Sequence, residues 1–106
     1  MSKAIDKMDM MTLVKSEIGD IYPGAEVILF GSRARGDFRD DSDWDFLILV
    51  DSRVDLQSKE MTLERIYDLE LRTDSVISIF IHTRKDWEDR AITPIYQEIT
   101  KEGIRA

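Results

Sequence analysis

The sequence contains no cysteine and only one histidine, His82, and these two shortages limit the metal chemistry open to it. Without cysteine there can be no disulfide and no thiolate zinc site. One histidine cannot build an imidazole-based metal site either. Any metal must therefore be held by oxygen ligands, which indicates Mg²⁺, Mn²⁺ or Ca²⁺.

Long apolar segments are lacking as well. No run approaches the ~18 residues that would indicate a membrane-spanning helix. The first residues, MSKAIDKMDMM, do not contain the apolar core of a signal peptide. We therefore expect a cytoplasmic, soluble protein that makes no use of a membrane.

Positive charge is in short supply, with 15 basic residues against 22 acidic ones and a net charge of -7. Non-specific binding of nucleic acid depends on clustered Lys and Arg, so the balance argues against it. A small anionic ligand is still compatible if a metal ion carries the compensating charge. The 106 residues, 42% of them hydrophobic, predict a single domain over 1–106 with one core.

Hydrophobic periodicity predicts three main helices and three strands. In chain order, the predicted elements are a helix over 4–21, a strand over 25–31, a polar loop over 32–43 with room for one helical turn, a strand over 44–50, a helix over 55–72, a strand over 76–81, and a last helix from a cap at Thr83 or Asp86 to about Lys101, closed by Gly103.

Several details of these elements can also be predicted. The strand over 44–50 is apolar on both faces after its second residue, so it should lie centrally in the sheet. Leu63, Ile66 and Tyr67 should mark the inner face of the helix over 55–72. Pro94 should kink the last helix or mark a late start. The expected fold is α/β (α+β), with a small mixed sheet of three or more strands and helices packed mainly on one side.

Two aspartates, Asp43 and Asp45, stand at the start of the second predicted strand. Side chains alternate along a strand, so both should point to the same face, about 6.6 Å apart. Like charges so placed repel each other unless a cation lies between them. Two carboxylates at this spacing can converge on one Mg²⁺ or hold a metal pair, and they leave coordination positions open for substrate phosphates.

A Gly-Ser turn, Gly31-Ser32, lies 12 residues before this aspartate pair. Gly31 lets a phosphate approach the backbone closely, and Ser32 offers a hydroxyl and a backbone N–H. The turn and the carboxylates can face each other across the ends of two adjacent strands. Together they would form an anion cradle opposite a metal site.

Other phosphate and metal motifs do not fit these residues. The GSRARG segment is neither a P-loop, which requires Lys-Ser/Thr after its last glycine, nor the dinucleotide-binding GxGxxG. The DSDWD segment at 41–45 begins like an EF-hand loop. Phe46 and Ser52, however, occupy the positions that would need Gly and Glu.

The motif pair FGSRARG and SDWDFLIL resembles the signature of the DNA polymerase β-like nucleotidyltransferase superfamily. In length and element order the whole chain resembles the minimal nucleotidyltransferases of that superfamily. The resemblance implies Mg²⁺-dependent transfer of a nucleoside monophosphate, with ATP as the expected donor, to an acceptor hydroxyl. It assigns Gly31 and Ser32 to the phosphates, and Asp43 and Asp45 to Mg²⁺, or Mn²⁺, and to catalysis. It also implies a helical partner protein of the HEPN type, as in toxin–antitoxin pairs.

Two arginines follow the turn, and their roles are open. Arg33 and Arg35 could bind phosphate or could pair with Asp37, Asp40 or Asp41. Arg33, next to Ser32, is included among the predicted nucleotide-binding residues.

The chain departs from the family pattern in the third predicted strand. The family often carries a third carboxylate there, which helps to activate the acceptor hydroxyl. In VISIFI the corresponding polar residue is Ser78, and Asp74 lies about 13 Å too early along the strand. The alternative function is therefore a non-catalytic or weakly active antitoxin-like module that masks a HEPN-type partner.

Overall fold

A computed structural model describes residues 5–39 and 41–106, which form five helices and four strands. Their bounds are α1 Lys7–Ile21, β1 Glu26–Phe30, α2 Ser32–Arg35, β2 Trp44–Val50, α3 Leu56–Thr73, β3 Ile77–Thr83, α4 Arg84–Glu88, α5 Pro94–Glu102 and β4 Ile104–Arg105. The predicted helix start at residue 4 and the predicted N-terminal domain bound lie outside the described residues.

The four strands form one mixed sheet in the order β3-β2-β1-β4. β1 runs antiparallel to both β2 and β4, whereas β2 runs parallel to β3. The prediction that β2 lies centrally is confirmed. Its neighbours on both sides explain why its residues are apolar on both faces.

The larger core lies between one face of the sheet and the helices α1 and α3. Trp44, Phe46 and Ile48 of β2 point to this face, where they pack with buried residues of α1 and α3 such as Val14 and Leu69. This arrangement confirms the predicted placement of helices mainly on one side.

A smaller cluster covers part of the other face. Leu47 and Leu49 of β2 pack there with Trp87 of α4 and Ile99 of α5. Because Asp45 has the same strand parity as these two leucines, the short C-terminal helices lie on its side of the sheet.

The last helical segment is divided into α4 and α5 and is not one helix as predicted. Thr83 caps α4, accepting from the Asp86 N–H, and Thr93 caps α5, accepting from the Tyr96 N–H. Pro94 is the first residue of α5, a position that needs no N–H donor. Of the two predicted effects of Pro94, the late start is therefore the one observed, and Gly103 closes α5 as predicted.

The predicted inner face of α3 is wrong at two of its three residues. Ile66 is buried, but Leu63 and Tyr67 are 61% and 62% exposed. The buried stripe runs through Thr62, Ile66 and Leu69 instead, at the four- and three-residue steps of a helix. Thr62 can lie in this stripe because its hydroxyl donates to the Ser58 carbonyl.

Strand β4 was not predicted from the sequence. Its two residues, Ile104 and Arg105, pair with Leu29 and Ile28 of β1. Among the helices in the described part of the chain, none combines the length and apolar character needed to cross a membrane.

Candidate active site

The Gly-Ser turn joins the end of β1 to the short helix α2. Gly31 has φ +80° and ψ -161°, in a region that favours glycine, and α2 begins at the next residue. A Cβ atom at Gly31 would lie 2.5 Å from Oδ2 of Asp45. Glycine is therefore needed here both for its backbone conformation and for close packing against the aspartate.

The strand registers bring three residues into one row across the sheet. Phe30 of β1 is opposite Asp45 of β2, and Asp45 is opposite Ser78 of β3. Directly opposed residues point to the same face of a sheet. Ser78 is thus the neighbour of Asp45, at the position where the family resemblance implies a third carboxylate.

The two aspartates differ in environment. Asp43 lies exposed just before β2, whereas Asp45 is partly buried within the strand. Burial raises the pKa of Asp45 above its usual value, and the negative charge of Asp43 raises it further, while Arg35 opposes the shift. The sequence-predicted repulsion between the two carboxylates is therefore present at this end of the sheet.

The donor set fits a hard divalent cation that is completed by other ligands. Asp43 and Asp45 supply carboxylate oxygens, and Gly31 leaves the space beside Asp45 open to a close approach. Among the described residues, no group of three or more His, Asp or Glu side chains converges in a metal-binding arrangement. Mg²⁺ or Mn²⁺ held here would depend on phosphate and water for its remaining ligands.

The side chain of Arg33, in α2, is buried against the loop that follows this helix. Its guanidinium lies 4.3 Å from the Phe38 ring centre and 4.4 Å from that of Trp44. Nε and Nη2 donate to the Ser42 carbonyl at 3.2 and 3.1 Å. These contacts hold the loop against the core, and a direct role of Arg33 in nucleotide binding stays a prediction.

Arg35 lies in a second group of contacts, in which its pairing with Asp37 confirms one of the predicted alternatives, whereas its pairing with Glu102 was not predicted. Arg35 Nη1 donates to both carboxylate oxygens of Glu102 at 3.1 Å, and Arg35 Nε donates to Asp37 at 3.2 Å. The Gly31 N–H also donates to Glu102, at 3.4 Å. No local pattern could have indicated the contacts of Glu102, because it is 67 residues from Arg35 and is brought there by the unpredicted β4.

His82 takes no part in this site. It lies four residues beyond Ser78 along β3 and stacks on Trp87 with ring centres 5.7 Å apart. Burial lowers its pKa, and the charge of Arg90 lowers it further. These contacts give His82 a structural role at the end of β3.

Residues 11–105 match the sequence model of the nucleotidyltransferase domain family. The match covers nearly all of the 106 residues, so the chain belongs to this family, as the motif pair predicts. The chain is therefore classed as a nucleotidyltransferase.

Known proteins similar to this chain agree with that assignment. A putative protein adenylyltransferase of Methanocaldococcus jannaschii is 36% identical over 78 residues, 74% of this chain and 73% of that protein. A chain from a toxin–antitoxin crystal structure with AMP-PNP superposes with a TM-score of 0.64 at 20% identity, over 90% of this chain and 70% of that one. A chain from a complex of the tri-AMPylated HEPN toxin of Shewanella oneidensis with an MNT antitoxin superposes with a TM-score of 0.52 at 20% identity. The superposition covers 91% of this chain and 71% of that one. The predicted polymerase β-like nucleotidyltransferase fold is confirmed.

Proposed function

We propose that the protein is a Mg²⁺-dependent nucleotidyltransferase that moves AMP from ATP to a hydroxyl group on a helical partner protein of the HEPN type. One observation carries the proposal. The Gly31-Ser32 turn packs directly against Asp45, so the proposed anion cradle and the carboxylate pair would share one end of the sheet. The proposed setting is the cytoplasm, where both ATP and Mg²⁺ are available.

The choice of donor and acceptor is supported by the similar proteins. The relative from M. jannaschii carries the name of a protein adenylyltransferase, and one structural neighbour was crystallised with an ATP analogue. Another neighbour contains a HEPN toxin modified by AMP. We extend these properties of the relatives to this chain as a hypothesis.

The roles of the residues follow from their chemistry. Gly31 would let the phosphates approach the backbone, and Ser32 would donate to them from its hydroxyl and its N–H. Asp43 and Asp45 would hold Mg²⁺, which when bound neutralises part of the phosphate charge. The acceptor oxygen would bond to the α-phosphorus, the α–β phosphoanhydride bond would break, pyrophosphate would leave, and the hydroxyl proton would pass to solvent.

Ser78 favours a second candidate function. Ser78 is paired with Asp45 in the sheet, and a neutral hydroxyl is a poor proton acceptor compared with a carboxylate. A site without this base would transfer AMP slowly or not at all. The protein could then act as an antitoxin-like module that binds and masks its HEPN-type partner.

The two functions can be separated by incubating the protein with ATP, Mg²⁺ and the product of a neighbouring reading frame. ATP labelled at the α-phosphate should transfer its label to the partner, and mass spectrometry should locate the added AMP on a hydroxyl side chain. Asp43→Asn and Asp45→Asn should abolish the transfer. A partner that binds tightly but stays unlabelled would support the masking function and reject the enzyme proposal.

A further inference from the structure

The contacts of the Glu102 carboxylate suggest how the proposed nucleotide site is occupied when no nucleotide is bound. This carboxylate accepts from the Gly31 N–H at 3.4 Å and from Arg35 Nη1 at 3.1 Å. A backbone N–H and a guanidinium that converge on one oxyanion are the kind of donors that bind phosphate. We propose that Glu102 occupies this anion position, between the Gly31 N–H and Arg35, until a triphosphate displaces it.

The position of Glu102 is set by the sheet. The β1–β4 pairing joins Ile28 to Arg105 and Leu29 to Ile104. If the same register is continued past the end of β1, Glu102 lies opposite Gly31. The pairing of β4 with β1 thus places the Glu102 side chain at the turn. The backbone of the sheet, rather than the conformation of a flexible surface side chain, determines the contact between Glu102 and Gly31.

Burial distinguishes Glu102 from the other acidic neighbours of Arg35. The Glu102 side chain is 15% exposed, whereas those of Glu98 and Asp37 are 57% and 63% exposed. Exposed ion pairs contribute little because water screens them, so Glu102 should be the acidic partner that matters most.

Arg33 is a less suitable phosphate ligand than Arg35. The Arg33 side chain is 5% exposed, lies between two aromatic rings and donates to the Ser42 carbonyl. Arg35 is 40% exposed and its charge acts on Asp45. A rotation of the Glu102 side chain would free the Gly31 N–H and remove the least exposed of the three acidic contacts of Arg35, leaving only the exposed contacts with Asp37 and Glu98.

The inference rests on the proposed function, because it assumes that the triphosphate binds at Gly31. It makes Glu102 an internal competitor, which lowers the apparent affinity for the nucleotide. Removing its charge while keeping its shape should therefore tighten binding.

The test is a calorimetric titration of the full chain with AMP-PNP and with inorganic tripolyphosphate, each in the presence of Mg²⁺. Glu102→Gln should bind both probes roughly fivefold more tightly than the wild type, because the competing carboxylate charge is removed. The control Glu98→Gln changes another acidic neighbour of Arg35 and should stay within about twofold of the wild type. Arg35→Gln should weaken binding by about tenfold, as expected for the loss of one charge-assisted hydrogen bond.

Each outcome decides between defined alternatives. Unchanged or weaker binding by Glu102→Gln would reject the competitor role, since Glu102 would then hold Arg35 in place or have no part in binding. Glu102→Ala should also bind both probes more tightly than the wild type. This second variant, checked for folding by thermal unfolding, controls for a defect that is specific to the Gln side chain. If the wild type binds a probe and Glu102→Gln does not bind it more tightly, only this inference fails. If neither the wild type nor any variant binds either probe, the proposed function fails as well.

Discussion

At the scale of single residues, Gly31 has the most demanding position in the candidate site. It combines φ +80° with a missing Cβ that would collide with Asp45, whereas Gly24 has φ +82° and no atom within 4 Å of its would-be Cβ. The two glycines share a positive φ and differ in their surroundings. They therefore form a matched pair for separating conformational strain from collision.

Gly31→Ala should lower the free energy of unfolding by more than Gly24→Ala does. Adding a Cβ at Gly31, where ψ is -161°, should cost about 1–3 kcal/mol in backbone strain, and the collision with Asp45 should add about 1–3 kcal/mol. Denaturant titration measures both values. Equal losses in the two variants would mean that Asp45 moves away freely, and the close packing of the turn would then have no energetic significance.

Asp45 should make the stability depend on pH in a defined direction. Its folded-state pKa is raised above 3.8, first by burial and then by Asp43, so the folded state holds its proton more tightly than the unfolded state. The free energy of unfolding should therefore fall as pH rises from 3.8 through the raised pKa. Asp45→Asn should remove this decrease and be as stable as the wild type or more stable at neutral pH.

The measurement is thermal or denaturant unfolding of the wild type and Asp45→Asn across this pH range without divalent metal. Asp89→Asn is a useful control, because it changes an exposed aspartate at the end of α4. A clear loss of stability in Asp45→Asn at neutral pH would indicate that the carboxylate is a structural hydrogen-bond acceptor rather than a repelled metal ligand.

At the scale of elements, the register between β2 and β3 determines the chemistry that Ser78 can support. The parallel pairing places residue 78 beside Asp45, and Phe80, two residues further on, packs against Phe30 at 5.7 Å between ring centres. This face of β3 therefore borders the site. A substitution at position 78 should act there directly.

Ser78→Asp should raise the rate of AMP transfer, or create transfer if the natural protein has none. A general base typically contributes ~10²–10⁴-fold, and the new carboxylate would stand beside Asp45. Without metal, the added like charge should lower the melting temperature, and Mg²⁺ with nucleotide should restore it. Ser52→Asp, on the exposed loop after β2, should change neither property.

If Ser78→Asp leaves both the transfer and the metal-dependent stability unchanged, residue 78 does not act on the site. The catalytic assignment of β3 would then be wrong, even though the pairing of the strands stands.

The elements also show how far sequence reasoning reached. The central strand was predicted at 44–50 and observed at the same residues, because its unbroken apolar run is a strong local signal. Strand β4 was not predicted because two residues are too few to show a hydrophobic periodicity. The contact between Glu102 and Gly31 was not predicted either, because it depends on β4. Arg33 was assigned to phosphate because an arginine beside a Gly-Ser turn suggests it. Its burial depends on Phe38 and Trp44, whose meeting only the folded loop could reveal.

At the scale of the whole molecule, the net charge of -7 opposes the binding of a triphosphate. Under the proposed function, binding must therefore be coupled to a cation, and the two proposed carboxylate ligands are too few to hold Mg²⁺ firmly by themselves. The metal and the nucleotide should each increase the affinity of the protein for the other.

Calorimetry should accordingly detect weak Mg²⁺ binding without nucleotide and much tighter binding with AMP-PNP. AMP-PNP without a divalent ion should leave the melting temperature almost unchanged, and Asp43→Asn should remove the coupling. Equally tight Mg²⁺ binding with and without the nucleotide would contradict the shared site.

The stacking of Arg33 on Trp44 has an optical consequence. The chain has two tryptophans, Trp44 in the larger core beside this loop and Trp87 in the smaller cluster on the other face of the sheet. Indole emission depends on the charges and groups in contact with the ring, and Trp44 is in contact with a cation. A rearrangement of the loop would change the fluorescence of Trp44, while the fluorescence of Trp87 would serve as an internal reference. The protein thus carries a fluorescent reporter of its own, one residue from each of the two aspartates.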